Sequence, residues 1–356
     1  CEKYQTDSRE YLSACRSVVP AQALIFPKRG AAIFANKIRI AARPLALDTN
    51  LMGVEVVSGL DPEYLYYAIS FAGLHRLADT STIPQLNNKH VLPHVLPRPS
   101  LKEQRRIAQI LSTWDQAIAA AERLLDNSLK RKRGLARDLL RGKTRFKQFA
   151  APWQQLTFRD VLKEVKRRVE WDDDQDYPLI SVRRRSGGAF LRETLKGSEI
   201  LTKKLNYAYA GEFLISKMQV VHGAMAVVPA VLDGMFISDS YLAFQSANED
   251  RFDINFVGWL STTEEMYKAV RRCSYGVHIE KMTFDLDMFL SEKLHIPETL
   301  EEQRLICDVL DGAQAEAKVA SDHLEQLKRE KAALMSQLLT GKRRVELPEV
   351  ETEEHA

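Results

Sequence analysis

The sequence predicts an α+β chain: two globular α/β domains and two long helices that pack antiparallel as a coiled coil, with an internal pseudo-twofold repeat. Three observations predict it. First, residues 101–145 return as residues 300–344 at a constant offset of 199 with no gap. Leu101 falls on Leu300, Glu103-Gln104-Arg105 on Glu302-Gln303-Arg304, Lys132 on Lys331 and Gly142-Lys143 on Gly341-Lys342. A gapless match of that length describes a chain built as two similar halves. Second, the apolar residues of both copies advance by alternating steps of four and three. Third, the segments outside the copies share an outline but little sequence.

The stepping defines the helices. In the first copy Ile107, Leu111, Trp114, Ile118, Ala121, Leu125, Leu135 and Leu139 follow it, broken at Ser128 and Lys132. In the second, Ile306, Leu310, Ala313, Ala317, Ala320, Leu324, Leu327, Leu334 and Leu338 follow it, broken at Lys331. A period of 3.5 over about five heptads is a coiled-coil seam, and each helix is expected to run roughly 60 Å at about 1.5 Å per residue. Gly142 and Gly341 stand where a helix C-cap wants glycine, with basic residues in the last turn. A globular segment lies between the copies, so antiparallel packing is the natural geometry.

Around the helices the chain reads in order as follows. Residues 1–99 form the first globular domain, with strands expected at 23–26, 30–34 and 36–42 and a helix at 62–77. A polar, amide-rich loop follows at 80–91, and then the proline-punctuated lead-in to the helical spacer at 100–146. The second globular domain, 147–298, has strands expected at 177–183, 213–216, 223–228 and 235–244 and a helix at 254–272. The second spacer is 299–345, and 346–356 is an acidic tail. Pro152-Trp153 opens the second domain 147 residues before Leu300, and the same distance before Leu101 falls upstream of residue 1. Roughly fifty residues of the first half are therefore expected to be absent.

Composition bounds the function classes. Of 356 residues, 45% are hydrophobic and 28% charged, ordinary for a chain with real cores. No run of eighteen apolar residues offers a membrane span, and no signal peptide is visible. Cys1, Cys15, Cys273 and Cys307 are too scattered for a disulfide framework or a zinc site, so a cytoplasmic location is expected. The tail holds five glutamates and no Lys or Arg, so the net charge of +3 becomes +8 for residues 1–345. That excess suits a nucleic-acid partner.

A proline lead-in, then L-x-E-Q-R-x-I, then a long helix ending near L-L-x-G-K, occurring twice around unlike segments, resembles the specificity subunit of a type I restriction–modification enzyme. The resemblance implies that the unlike segments are target-recognition domains, each reading one half of a split double-stranded DNA site. It implies helices that dock two methyltransferase subunits and, through them, translocating nuclease subunits. S-adenosylmethionine, ATP and magnesium would belong to those partners, with no cofactor in this chain. The chain departs from the family in its incomplete first domain and in Asp115, which occupies the place of Gln314.

Base edges are read by Arg, Lys, Asn and Gln, and phosphates are held by Lys, Arg and small polar groups. In the second domain the best candidates are Arg183, Arg184, Arg185 and Ser186, beside two glycines. Lys203, Lys204, Lys217, His222, Arg271, Arg272 and Lys281 follow. In the first domain the candidates are Lys28, Arg29, Lys37, Arg39, Arg76, Gln85, Asn87, Asn88 and Lys89. The exposed helix sides around Glu103, Arg105, Arg106, Glu302 and Arg304 are expected to dock partners.

Three catalytic signals fail. Gly142-Lys143-Thr144 lacks the glycine a phosphate-binding loop needs at position 137, where Arg137 stands. His90 and His94 are separated by Pro93 and lack the following glutamate of a zinc-protease helix. Glu164 and Lys166 resemble a nuclease core only loosely. The expected function is therefore a non-catalytic subunit that binds DNA and assembles an enzyme. Two other readings stay open, the specificity part of a single-chain restriction–methylation enzyme and a coiled-coil scaffold that never meets DNA.

Overall fold

The computed structural model describes residues 3–5, 18–81, 83–276, 278 and 282–346. The chain divides into two compact units, Cys1–Leu125 with Ala320–Ala356, and Asp126–Val319. The division falls inside both long helices, so each unit contains part of each.

The first unit carries β1 (Tyr4–Gln5), β2 (Val18–Val19), β3 (Leu24–Pro27), β4 (Arg39–Ala41), β5 (Leu45–Ala46) and β6 (Leu51–Val54). Its main sheet has the order β1-β4-β3-β6, with β3 antiparallel to both neighbours, and β2 pairs with β5. Leu24, Phe26, Ile40, Leu65 and Leu74 form the core, each burial contributing about 1.5–3 kcal/mol. The strand expected at 30–34 is a 3-10 turn at Ala31–Ile33. Gly30, at φ 78°, bends the chain there, and the turn tucks Ile33 into the core instead of extending it.

Helix α1 (Pro62–Ala72) starts where Asp61 accepts from the Tyr64 amide at 3.0 Å, with Pro62 pre-set for the first turn. The single helix expected over 62–77 is broken. Gly73, at φ 81°, stops α1, and α2 (Leu74–Leu77) leaves in a new direction, its first amide donating to the Asn36 side chain at 2.9 Å. Inside the expected polar loop lies a one-turn helix, α3 (Asn88–Val91). Helix α4 (Leu101–Leu139) begins in this unit.

The second unit continues with β7 (Gln154–Thr157), α5 (Phe158–Val161), β8 (Leu162–Val165), β9 (Asp176–Val182) and β10 (Ala189–Lys196). Then come β11 (Leu205–Ala208), β12 (Phe213–Ser216), β13 (Met225–Val227), β14 (Met235–Ser238) and β15 (Tyr241–Ser246). Helices α6 (Ile254–Leu260) and α7 (Glu264–Arg272) follow, then β16 (Ser274–Tyr275), β17 (Thr283–Phe284), α8 (Leu286–Leu290), β18 (Lys293–Ile296) and α9 (Leu300–Leu339). Two four-stranded sheets, ordered β10-β9-β14-β11 and β13-β12-β15-β8, form the body. The strand expected over 235–244 is two strands, because the Asp239-Ser240 turn hands the chain from one sheet to the other. The helix expected over 254–272 is likewise two, since Thr263 caps a fresh start by accepting from the Met266 amide. Strands β10 and β11 were not foreseen; β10 is mostly exposed and its polar composition gives little apolar alternation.

Within each unit the long helices run antiparallel. In the first, Ile107 and Leu111 of α4 pack with Leu338 and Leu339 of α9, beneath Tyr64 and Tyr67 of α1. Asp115 pairs with Lys331 at 2.6 Å and Glu122 with Lys328 at 3.3 Å, so one residue number rises as the other falls. In the second, Leu139 and Leu140 pack with Ile306 and Leu310, and Arg131 pairs with Glu316 at 2.9 Å. The remaining seam positions Ala121, Ala313, Ala317, Ala320 and Leu324 are buried. Trp114, Ile118, Leu125, Leu135, Leu327 and Leu334 are partly covered.

Candidate nucleic-acid interface

The triple-arginine segment is the turn between β9 and β10. Arg185 and Ser186 sit in the left-handed region at φ 59° and 53°, which is uncommon for residues with a side chain. Backbone bonds hold them there: the Arg185 amide donates to the His222 carbonyl at 2.7 Å and the Ser186 amide to Gly223 at 2.9 Å. The Ser186 hydroxyl lies 2.9 Å from the Tyr267 hydroxyl, and a Cβ at Gly223 would collide with that same phenol. So Gly223 is glycine for room as well as for its φ of 74°. Arg183 stacks on Phe190 at 3.8 Å, and Arg184 donates to Gln219 at 3.2 Å. All three arginines are exposed.

The other candidates of this unit are more dispersed. Lys203 pairs with Asp173 at 2.5 Å, and Arg272 is gripped by both oxygens of Glu292. Those two cations are engaged within the protein. Lys204 and Arg271 are exposed, Lys217 and His222 half-buried. His222 stands directly behind the arginine turn, and Lys281 lies outside the described residues.

In the first unit the structure brings Lys28 and Arg29 onto the amide loop. The Leu86 amide donates to the Lys28 carbonyl at 2.9 Å, and Arg29 bridges to Gln85. Asn87 and Asn88 open α3, where the Asn87 amide donates to His90 Nδ1 at 3.2 Å, so part of this run is turn chemistry. Lys89 is exposed beside them, and so is Arg76 on α2. Lys37 and Arg39 line a separate cleft of about 690 Å³, together with Phe26, Pro27 and Leu51.

The E-Q-R motif has a role that differs from the expected one. Glu103 and Glu302 are not on exposed helix sides; they are 4% and 2% accessible. Arg344 clasps Glu103 through two bonds of 2.6 Å, and Arg145 clasps Glu302 at 2.9 and 2.8 Å. Each carboxylate thus ties the start of one long helix to the arginine just past the end of the other. These hydrogen bonds raise the pKa of both arginines above the ordinary value.

Gln104 and Gln303 are fully buried. Gln104 accepts from the Asp61 amide at 2.9 Å and donates to the Gly59 and Pro99 carbonyls at 3.1 and 2.9 Å. Gln303 does the same with the Asp253 amide and the Arg251 and Pro297 carbonyls, at 2.8, 2.9 and 3.1 Å. Asp61 and Asp253 are the N-caps of α1 and α6. The glutamine therefore fastens the globular part of its unit to the long helix. Of the expected docking residues, Arg105, Arg106 and Arg304 remain exposed. The Arg145 and Arg344 partners were missed, although their matched place after each Gly-Lys was visible.

Among the described residues, no helix is long and apolar enough to cross a membrane, and no three His, Cys, Asp or Glu could together hold a metal ion.

Residues 3–131 match the family model described as the type I restriction modification DNA specificity domain. A curated relative is the type I restriction enzyme MjaVIII specificity subunit of Methanocaldococcus jannaschii. It is 21% identical over 308 residues, covering 80% of this chain and 71% of the relative. The crystal structure of a type I restriction-modification S subunit from M. genitalium superposes with a TM-score of 0.57 at 14% identity, covering 95% of this chain and 88% of that one. A chain from a study of complex assembly and conformational transition in a type I system superposes at 0.56 and 17% identity, covering 93% and 85%. The structural likenesses are likenesses of fold.

Proposed function

We propose that this chain, whose residues 3–131 match the type I restriction modification DNA specificity domain, is a non-catalytic specificity subunit of such a system, that it reads a bipartite double-stranded DNA site and that it docks methyltransferase subunits on its helices. The two recognition domains are residues 1–99 and 147–298, and the spacers are 100–146 and 299–345. Reading would fall to the Arg183–Ser186 turn in the second domain and to Lys28, Arg29 and the Gln85–Lys89 loop in the first. Arg105, Arg106 and Arg304 are the docking candidates that remain on open helix surface. S-adenosylmethionine, ATP and magnesium would be bound by the partner subunits, in the cytoplasm.

The observation that carries this reading is the arginine turn. Its left-handed residues Arg185 and Ser186 are held by the carbonyls of His222 and Gly223, and yet its three arginines are exposed. Strain retained at an exposed basic turn suits a contact made with something else. Antiparallel helices fastened at both ends by the same motif suit a fixed spacing between two half-sites, as a duplex demands.

The test is to assemble the chain with methyltransferase subunits in a host and map methylated sites. A split motif is expected, and lengthening residues 101–140 by whole helical turns, matched in the second spacer, should change its gap. Methylation at undivided sites, or an unchanged gap in the lengthened variant, would defeat the proposal.

A further inference from the structure

Beside the arginine turn, and wholly within the second unit, lies a cleft of about 530 Å³. One wall is the last part of α4, with Lys132, Arg133 and Arg137, and Arg141 in the turn that follows it; the other is Arg185 with the α6–α7 corner. Five cations face two carboxylates, Glu264 and Glu265. Arg141 is engaged by Glu265, and Arg137 pairs with its neighbour Asp138 at 2.9 Å.

Two features make this wall unusual. Arg133 and Arg137 share one face of α4, where like charges at that spacing destabilise a helix, and Arg141 continues the every-fourth-residue spacing in the turn just past its end. The seam does not need them either. At the equivalent places in α9 and its end stand Ala332, Ser336 and Thr340, and only Lys132 has a counterpart, in Lys331. Burial and the adjacent Arg133 both lower the Lys132 pKa. A row of cations kept on one helix copy and absent from the other answers to something outside the packing.

We propose that this cleft grips the sugar–phosphate backbone of the duplex, with Arg133, Arg137 and Arg141 holding phosphates while the neighbouring turn meets the bases. The inference rests on the DNA-reading function proposed above. Phosphodiester groups are the ligand chemistry that a row of guanidinium groups fits, since each can donate two parallel bonds to one phosphate. Such contacts position the protein without carrying sequence information.

The experiment uses the full chain assembled with methyltransferase subunits. Three forms are compared: wild type, Arg133→Ala/Arg137→Ser/Arg141→Thr, and the same positions changed to Lys. The substituents of the first variant are those α9 tolerates, and a thermal melt checks its fold. Binding is measured between 50 and 200 mM salt on a duplex carrying the mapped motif and on a scrambled duplex. The first variant should lose affinity on the order of tenfold on both duplexes, and its salt slope should fall by about 0.9 for each phosphate it no longer neutralises. The lysine variant should recover most of the slope, and the methylated motif should not change.

An unaltered slope in the first variant, while Arg183→Gln/Arg184→Gln/Arg185→Gln lowers it, overturns this inference and leaves the proposed function standing. Loss of methyltransferase assembly with DNA binding intact would make the cleft a protein-docking surface and overturn it too. Failure of the wild-type complex to retain DNA would remove the proposed function and this inference together.

Discussion

The same residue does different work at the polar break of the seam in the two units. In the first unit Lys331 is covered, at 17% accessibility, and meets the Asp115 carboxylate at 2.6 Å, which also accepts from the Tyr67 hydroxyl at 2.5 Å. In the second, the equivalent Lys132 donates to the neutral amide of Gln314 at 2.7 Å. One break is an ion pair buttressed by a phenol, and the other a charge against a dipole. The ends differ in the same spirit. Arg145, clasping Glu302, is covered and shares its carboxylate with the Trp153 indole at 3.3 Å, whereas Arg344, clasping Glu103, is 75% exposed. A repeat can thus preserve which positions interact while altering how strongly each unit is closed.

The glutamines are where the units do not differ, and they should show the largest effect. Gln104→Ala and Gln303→Ala each leave one amide and two carbonyls without their buried partner, and each is expected to cost about 3–5 kcal/mol. Denaturant unfolding of the two variants should give similar losses. A near-neutral result in one of them would mean that its unit is not fastened by the glutamine.

The polar break should separate the units. Asp115→Ala strands both Lys331 and the Tyr67 hydroxyl, and after allowing for partial exposure of the carboxylate about 1–2 kcal/mol is expected. Gln314→Ala removes one exposed neutral acceptor and should cost about 0.5–1 kcal/mol. Equal losses would erase the distinction drawn between ion pair and dipole.

The smallest effect is a pH tilt confined to the second unit. Burial, together with the charges of Asp308 and Asp253, raises the Asp311 pKa above its ordinary 3.8, outweighing the hydrogen bond from the Trp259 indole, which lowers it. Between that value and the raised one the folded chain holds the extra proton, so stability falls as pH rises through the window. Asp311→Asn keeps an acceptor for the Trp259 indole, at 3.0 Å in the parent, and should flatten the dependence. A profile that is unchanged would place the tilt elsewhere.

Much of this was open to a reading of residues alone, and the parts that were not have a common cause. Ile107, Leu111, Ile306 and Leu310 announce their burial by periodicity. Glu103 and Gln104 announce nothing of the kind, because a polar residue next to a seam reads as solvated. Their partners lie far off, 241 residues away for Glu103 and Arg344. The arginines at the end of the first spacer were visible in a different way. Aligning the copies for identity hides Arg133, Arg137 and Arg141, whereas aligning them for difference exposes them against Ala332, Ser336 and Thr340.

By itself, the sequence determined the two long helices and their antiparallel pairing, because period and offset are properties of the chain that need no partner. It also carries the resemblance to type I restriction–modification specificity subunits, through a motif that occurs twice. Only the tertiary structure decided what that motif does. A buried carboxylate or amide is stable where a distant arginine or three backbone groups are brought to meet it, and no local pattern records which distant groups those are. The left-handed turn at Arg185 and Ser186 belongs to the same class, since what holds it is the carbonyls of His222 and Gly223 on another strand connection.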